Sequence, residues 1–134
     1  LIYILDTNVI SAVRRAGRAP KVAAWLAGKS EADLFLSVIT LGEIERGIRR
    51  QEGRDPEFAQ DLRHWLERTV AIFGDRVLDF TAQDALVWGD LSARIGHAGA
   101  DLMIAAQALS RDAAVVTGNG ADFAPTGARI IDPF

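Results

Sequence analysis

Five short runs rich in β-branched or aromatic residues recur along this chain, with stretches of helical apolar spacing between them, and this alternation most constrains the fold. The runs are Ile2–Leu5, Leu34–Val38, Val77–Phe80, Ala113–Thr117 and Arg129–Ile131. After the first, Asn8–Arg15 reads as a helix broken at Gly17, and Pro20 suits the first turn of another that carries Val22, Trp25 and Leu26. Thr40-x-x-Glu43 has the form of a capping box, with Leu41, Ile44 and Ile48 along one side of the helix it opens. Pro56 starts a helix that shows Phe58, Leu62, Trp65, Leu66 and Thr69 and ends near Phe73. Thr81 with Asp84 opens a helix closed by Gly96, and Asp101 begins the next. Strands alternating with helices are βαβ units, which predict an α/β fold: a mainly parallel central sheet with helices on both faces, three layers in all. No repeat, low-complexity tract or long linker divides the chain, so one domain over 1–134 is expected.

A chain of 134 residues that is 49% hydrophobic can bury a core without disulfides. It has no cysteine, which excludes Cys-based zinc and iron–sulfur sites and agrees with a reducing, cytoplasmic setting. The apolar run Leu1–Leu5 is too short for a signal peptide or a membrane span. A net charge of −3 argues against coating nucleic acid by bulk electrostatics. It leaves room for a nucleic-acid enzyme whose acids are concentrated in one site. There is no Gly-x-Ser-x-Gly elbow and no Walker A loop, and Gly118-Asn119-Gly120 is too short and too late for a dinucleotide fingerprint. His64 and His97 are the only histidines and lack the partners that a zinc site requires, so surface or helix-end roles are expected. Trp25, Trp65 and Trp88 lie among apolar residues and read as packing.

Four acids stand where strands end or helices begin: Asp6, Glu43, Asp101 and Asp122. Each has a purely local reading. Asp6 and Asp101 suit helix N-caps, Glu43 suits the third position of a capping box, and Asp122 suits an Asx-turn beside Asn119. Taken as a set they read differently. Residues at the carboxyl ends of parallel strands converge on one crevice, and carboxylates gathered there repel unless a cation joins them. Hard divalent ions such as Mg²⁺ and Mn²⁺ prefer such all-oxygen sites.

The motifs that carry these acids resemble those of PIN-domain ribonucleases, specifically the VapC-type toxins of bacterial toxin–antitoxin pairs and their FitB-like branch. They are Leu-Asp-Thr-Asn-Val-Ile-Ser at 5–11, Ser-Val-Ile-Thr-Leu-Gly-Glu-Ile at 37–44, Ala-Asp-Leu-Met-Ile-Ala-Ala at 100–106 and Val-Thr-Gly-Asn-Gly-Ala-Asp-Phe at 116–123. The closing Ile-Ile-Asp-Pro-Phe is similar to the family's last strand, and order and spacing agree over essentially the whole chain. The resemblance implies a PIN-like α/β/α fold and a Mg²⁺-dependent endoribonuclease (Mn²⁺ as an alternative) that leaves a 5′-phosphate and a 3′-hydroxyl. Asp6 and Asp101 would bind metal directly, and Glu43 and Asp122 directly or through water. Thr7, Asn8, Thr117 and Asn119 match polar positions that orient waters, ligands or phosphate. One departure is Gly118, where family members often carry a basic residue.

The same resemblance implies a cognate antitoxin that blocks the site, a homodimer, a toxin–antitoxin hetero-oligomer, DNA contact only through the antitoxin, and no membrane association. Arg46, Arg49 and Arg50 follow Glu43 on its helix and are candidates for RNA or antitoxin contact. An antitoxin helix in an apolar groove would meet Val9, Val13, Trp25 and Leu26, with Trp65 and Leu66 opposite, although core packing explains the same pattern. Two rivals stand beside this reading. One is a metal-binding PIN-like module without nuclease activity. The other is an Asp-based phosphoryl-transfer domain acting through Asp6. Asn8, in place of a second aspartate, and the lack of any lysine after Lys29 count against it.

Overall fold

In a computed structural model that describes residues Leu1–Phe134, the β-branched runs form β1 (Tyr3–Leu5), β2 (Leu34–Ser37), β3 (Val77–Leu78), β4 (Ala114–Val116) and β5 (Arg129–Ile131). They make one sheet in the order β3–β2–β1–β4–β5. Every pairing is parallel, so the sheet is wholly rather than mainly parallel. β1 sits at its centre, with Tyr3 opposite both Leu34 and Ala114. Parallel neighbours require crossovers, and seven helices supply them: α1 (Thr7–Ala12), α2 (Pro20–Ala27), α3 (Val38–Glu52), α4 (Pro56–Phe73), α5 (Ala82–Ile95), α6 (Ala100–Ser110) and α7 (Gly120–Phe123).

Successive side chains of a strand point to opposite faces, so each buried strand must be apolar on both. Leu5 and Val116 enter one core with Val9, Ile44, Ile48 and Leu66 from the first four helices. Ile4 and Val115 enter the other with Leu91, Ile104 and Phe123 from the last three. This is the expected three-layer α/β/α arrangement. The three tryptophans pack against these cores, and Trp25 meets Tyr3 edge-to-face at 5.3 Å. No helix is long and apolar enough to cross a membrane.

Several helix ends follow the local chemistry read from the chain. Asp55 accepts from the Phe58 N–H ahead of Pro56, Thr81 and Asp84 close a reciprocal capping box, and Gly96 ends α5 at φ 95°. Other ends differ. α3 starts at Val38, because Ser37, rather than Thr40, caps it by accepting from the Ile39 N–H. Thr40 is therefore a buried residue of the first turn, and Glu43 lies one turn deeper than a capping glutamate. α6 likewise starts before Asp101, with Gly99 as its N-cap. α1 ends at Ala12 rather than Arg15. β3 stops at Leu78, where the carbonyls of Leu78 and Asp79 accept from the Gln107 side chain.

Candidate active site

The strand order reverses direction between β1 and β4, and in open parallel sheets that switch point opens a crevice at the strands' carboxyl ends. Asp6 follows β1 and Thr117 follows β4, so two segments 111 residues apart in sequence meet there. Asp6 is 5% exposed. Its Oδ1 accepts from the Thr7 N–H at 2.8 Å, while Oδ2 accepts from Thr117 Oγ1 at 2.8 Å and Asn8 Nδ2 at 3.2 Å. Asp6 thus caps α1 and belongs to the crevice at once; its two readings are compatible.

The polar neighbours brace this carboxylate. Asn8 Oδ1 accepts from the Gly118 N–H at 3.0 Å, and its Nδ2 also reaches Thr117 Oγ1 at 3.2 Å. Thr117 Oγ1 accepts in turn from the Asn119 N–H at 2.9 Å. The Asn119 side chain is exposed, and only its backbone takes part in these bonds. Thr7 Oγ1 donates to Glu43 Oε1 at 2.9 Å and so fastens the third crossover helix to the first. Asp101, in the first turn of α6, and Asp122, on the short α7, accept no side-chain hydrogen bond from the protein, and neither is paired with a cation.

The other three acids act on Asp101. Burial pushes the Asp101 carboxyl above its ordinary value of 3.8; the charges of Asp6, Asp122 and Glu43 push the same way, and His97 alone opposes them. His97 is exposed at the entry to α6, where its Nδ1 accepts from the Gly99 N–H. An uncompensated gathering of carboxylates is the condition that a hard divalent cation relieves, and the donor set, all oxygen and without thiols, has the right chemistry. As placed here, no three of these side chains stand close enough together to hold a metal ion.

Two features here were not read from the sequence. Ser37 Oγ donates to Gln107 Oε1 at 2.5 Å, and both residues are fully buried. With the Gln107 bonds to the Leu78 and Asp79 carbonyls, this network locks the start of α3 against α6, and so Glu43 against Asp101. Gln107 as the one amide in an otherwise apolar helical run was its sequence signal. The second is Phe134. A Cβ placed on Gly118 would stand 2.8 Å from its ring, so the ring fills the space that a side chain at 118 would take.

Of the three arginines after Glu43, Arg46 shares with it a cleft of about 270 Å³ that Val38, Ile39, Gly42 and Ala100 also line. Arg49 pairs instead with Glu45 at 3.0 Å and Glu52 at 3.5 Å, and Arg50 is exposed without a carboxylate partner. Of the expected groove residues, Val9 and Leu66 are core. Val13, Leu26 and Trp65 do line an apolar cleft of about 220 Å³ with Ile10, Ile72 and Phe73.

Residues 3–127 match the PIN domain family model, and the chain belongs to that family. Within it, the chain is 40% identical over 98 residues to Ribonuclease VapC14 of Mycobacterium tuberculosis, which covers 72% of this chain and 91% of that protein. It is 28% identical over 140 residues to Toxin FitB of Neisseria gonorrhoeae, covering 99% of each. The crystal structure of FitAcB from that organism superposes with a TM-score of 0.85 at 28% identity, over 98% of both chains. A member of the VapBC family of toxin–antitoxin systems, VapBC-5 from Mycobacterium tuberculosis, superposes at 0.58 with 26% identity, over 97% of both. The α/β/α fold is thus a PIN fold of the VapC and FitB kind.

Proposed function

We propose that this chain is a metal-dependent endoribonuclease and the toxin of a toxin–antitoxin pair, acting in the cytoplasm as one PIN domain over 1–134. The observation that carries the catalytic part is the gathering of Asp6, Glu43 and Asp122 around Asp101: burial raises its carboxyl most, their three charges add to the rise, and only His97 opposes. The names of its relatives, a VapC ribonuclease and a FitB toxin, support the substrate and the biological role.

Asp6 and Asp101 would hold Mg²⁺ or Mn²⁺ directly, with Glu43 and Asp122 direct or through water. When bound, such an ion acidifies water and polarises a phosphoryl oxygen, which is the chemistry that phosphodiester hydrolysis requires. The protein's part is placement. Asn8 and Thr117 fix the rotamer of Asp6, and Thr7 fixes Glu43. The buried Ser37–Gln107 bond holds the helix that carries Asp101 in register with the one that carries Glu43. Arg46 stands beside Glu43 where an entering phosphate would meet it. No histidine is needed as acid or base.

The apolar cleft between α1, α2 and α4 would receive an amphipathic helix of the antitoxin, and DNA contact would come only through that partner. A homodimer that assembles with the antitoxin completes the proposal. Incubation of the purified protein with RNA tests the activity: cleavage should stop in excess EDTA and return with Mg²⁺ or Mn²⁺. Cleavage that persists in EDTA, and is absent from an Asp6→Ala preparation, would defeat metal dependence.

A further inference from the structure

A second large cleft lies outside the acidic crevice. It holds about 580 Å³ and is lined by Arg14, Arg15, Arg18 and Lys21, with Ser11, Pro20 and Phe134. In a chain of net charge −3, four cations here face no acid: none of them pairs with a carboxylate anywhere in the structure. Only the Arg14 side chain has another engagement, with its guanidinium 5.3 Å from the centre of the Phe58 ring. Phe134 is 44% exposed and lines this cleft.

This cleft is linked to the acids through a short chain of contacts. Phe134 packs over Gly118, the Gly118 N–H donates to Asn8, and Asn8 donates to Asp6. The cations therefore lead to the crevice by way of an aromatic ring. Resting on the ribonuclease reading above, we propose that this cleft is the track for a single-stranded segment of the RNA substrate. One unpaired base stacks on Phe134, and the adjoining phosphates lie along Arg15, Arg18 and Lys21. A ring face next to unpaired arginines is the combination that holds single strands without reading their sequence. A duplex keeps its bases stacked inside and offers none to the ring. Gly118 then has a positive role: a side chain there would displace Phe134 from the mouth of the site.

An acidic peptide would satisfy the cations but leaves the ring without a purpose, so RNA is the better match. The test is fluorescence-anisotropy binding of a labelled single-stranded RNA oligomer and of the same sequence as a duplex, in EDTA, so that cleavage does not intervene. The wild-type protein should prefer the single strand, and Phe134→Ala should weaken it by about tenfold, within the range for removal of one base–aromatic stack. Gly118→Ala, which moves the ring without removing it, should weaken binding in the same direction. Arg15→Glu with Arg18→Glu should lower affinity and flatten its salt dependence, by about 0.7 in slope for each phosphate that is no longer neutralised. Equal affinity for strand and duplex, or unchanged binding in all three variants at matched melting temperature, would overturn the proposal. So would a charge-reversed protein that holds RNA normally but loses an acidic peptide, which would assign the cleft to a protein partner. Binding as described without any metal-dependent cleavage would instead refute the ribonuclease reading and leave the cleft standing.

Discussion

Two aspartates bracket α6, and they are opposites. Asp84 is wholly buried against the carboxyl end of that helix, yet its carboxyl lies below the ordinary 3.8. Burial acts on it most strongly and pushes it up. The Ser110 hydroxyl, the Thr81 N–H and Arg111, with contacts of 3.3 and 3.2 Å, together outweigh that push. Asp101, at the amino end, is only part-buried, but no hydrogen-bond donor offsets that burial, three like charges add to it, and it is raised. Burial alone therefore does not set the direction of an acid's shift; the presence or absence of donors around it does.

The largest effect should separate the two in activity. Asp101→Asn keeps the shape of the side chain and removes its charge, so RNA cleavage should fall by orders of magnitude with the fold intact. Asp84→Asn should retain cleavage per folded molecule. A gel assay at equal folded concentration decides, and a fully active Asp101→Asn would remove that residue from the site.

Stability should show the reverse. Arg111→Ala leaves Asp84 buried without its cation and should cost about 3 kcal/mol, read by urea denaturation. A loss below about 1 kcal/mol, typical of exposed ion pairs, would mean that the pair is no more than a surface contact.

The pH dependence of the two should cross. The raised Asp101 contributes stability in full below 3.8, and this is lost as pH rises through its native value. Asp101→Asn should therefore be more stable than the wild type at neutral pH, and the advantage should vanish in acid. The lowered Asp84 contributes stability above 3.8 that is lost as pH falls through its native value, so the deficit of Asp84→Asn should shrink in acid. Denaturation midpoints across that range check both, and parallel curves would break the comparison.

A smaller effect belongs to Glu45, which hydrogen bonds from Arg63, foremost, and from Arg49 hold down to about 2 against some opposing burial. Its contribution is present above 4.5 and disappears as pH falls towards 2. Glu45→Gln should flatten the acid limb of the stability curve over that window only. At neutral pH the change should be slight, as for most exposed pairs, and the midpoint of urea unfolding measures it.

The sequence made the layers legible because buried parallel strands must be apolar on both faces and the helices between them carry the 3.6-residue period. The four acids were legible as a set through the motifs around them. Helix starts were less so. Ser37 and Gly99 lack the Glu or Gln partner that marks a capping box, so Thr40 and Asp101 looked like better starts than they are. The pairing of Ser37 with Gln107 spans 70 residues, and no local pattern announces such a bond. Phe134 over Gly118 was equally hidden, since a glycine in sequence does not say what occupies the space it leaves.

The most direct test of the central claim, that the four convergent carboxylates are a metal site, is calorimetric titration of Mn²⁺ into three proteins. The wild type and Asp84→Asn should bind with the same affinity, whereas Asp101→Asn should bind far more weakly and show a correspondingly smaller rise in melting temperature with Mn²⁺. Equal affinity in all three would contradict the account and return Asp101 to the ranks of ordinary helix-terminal acids.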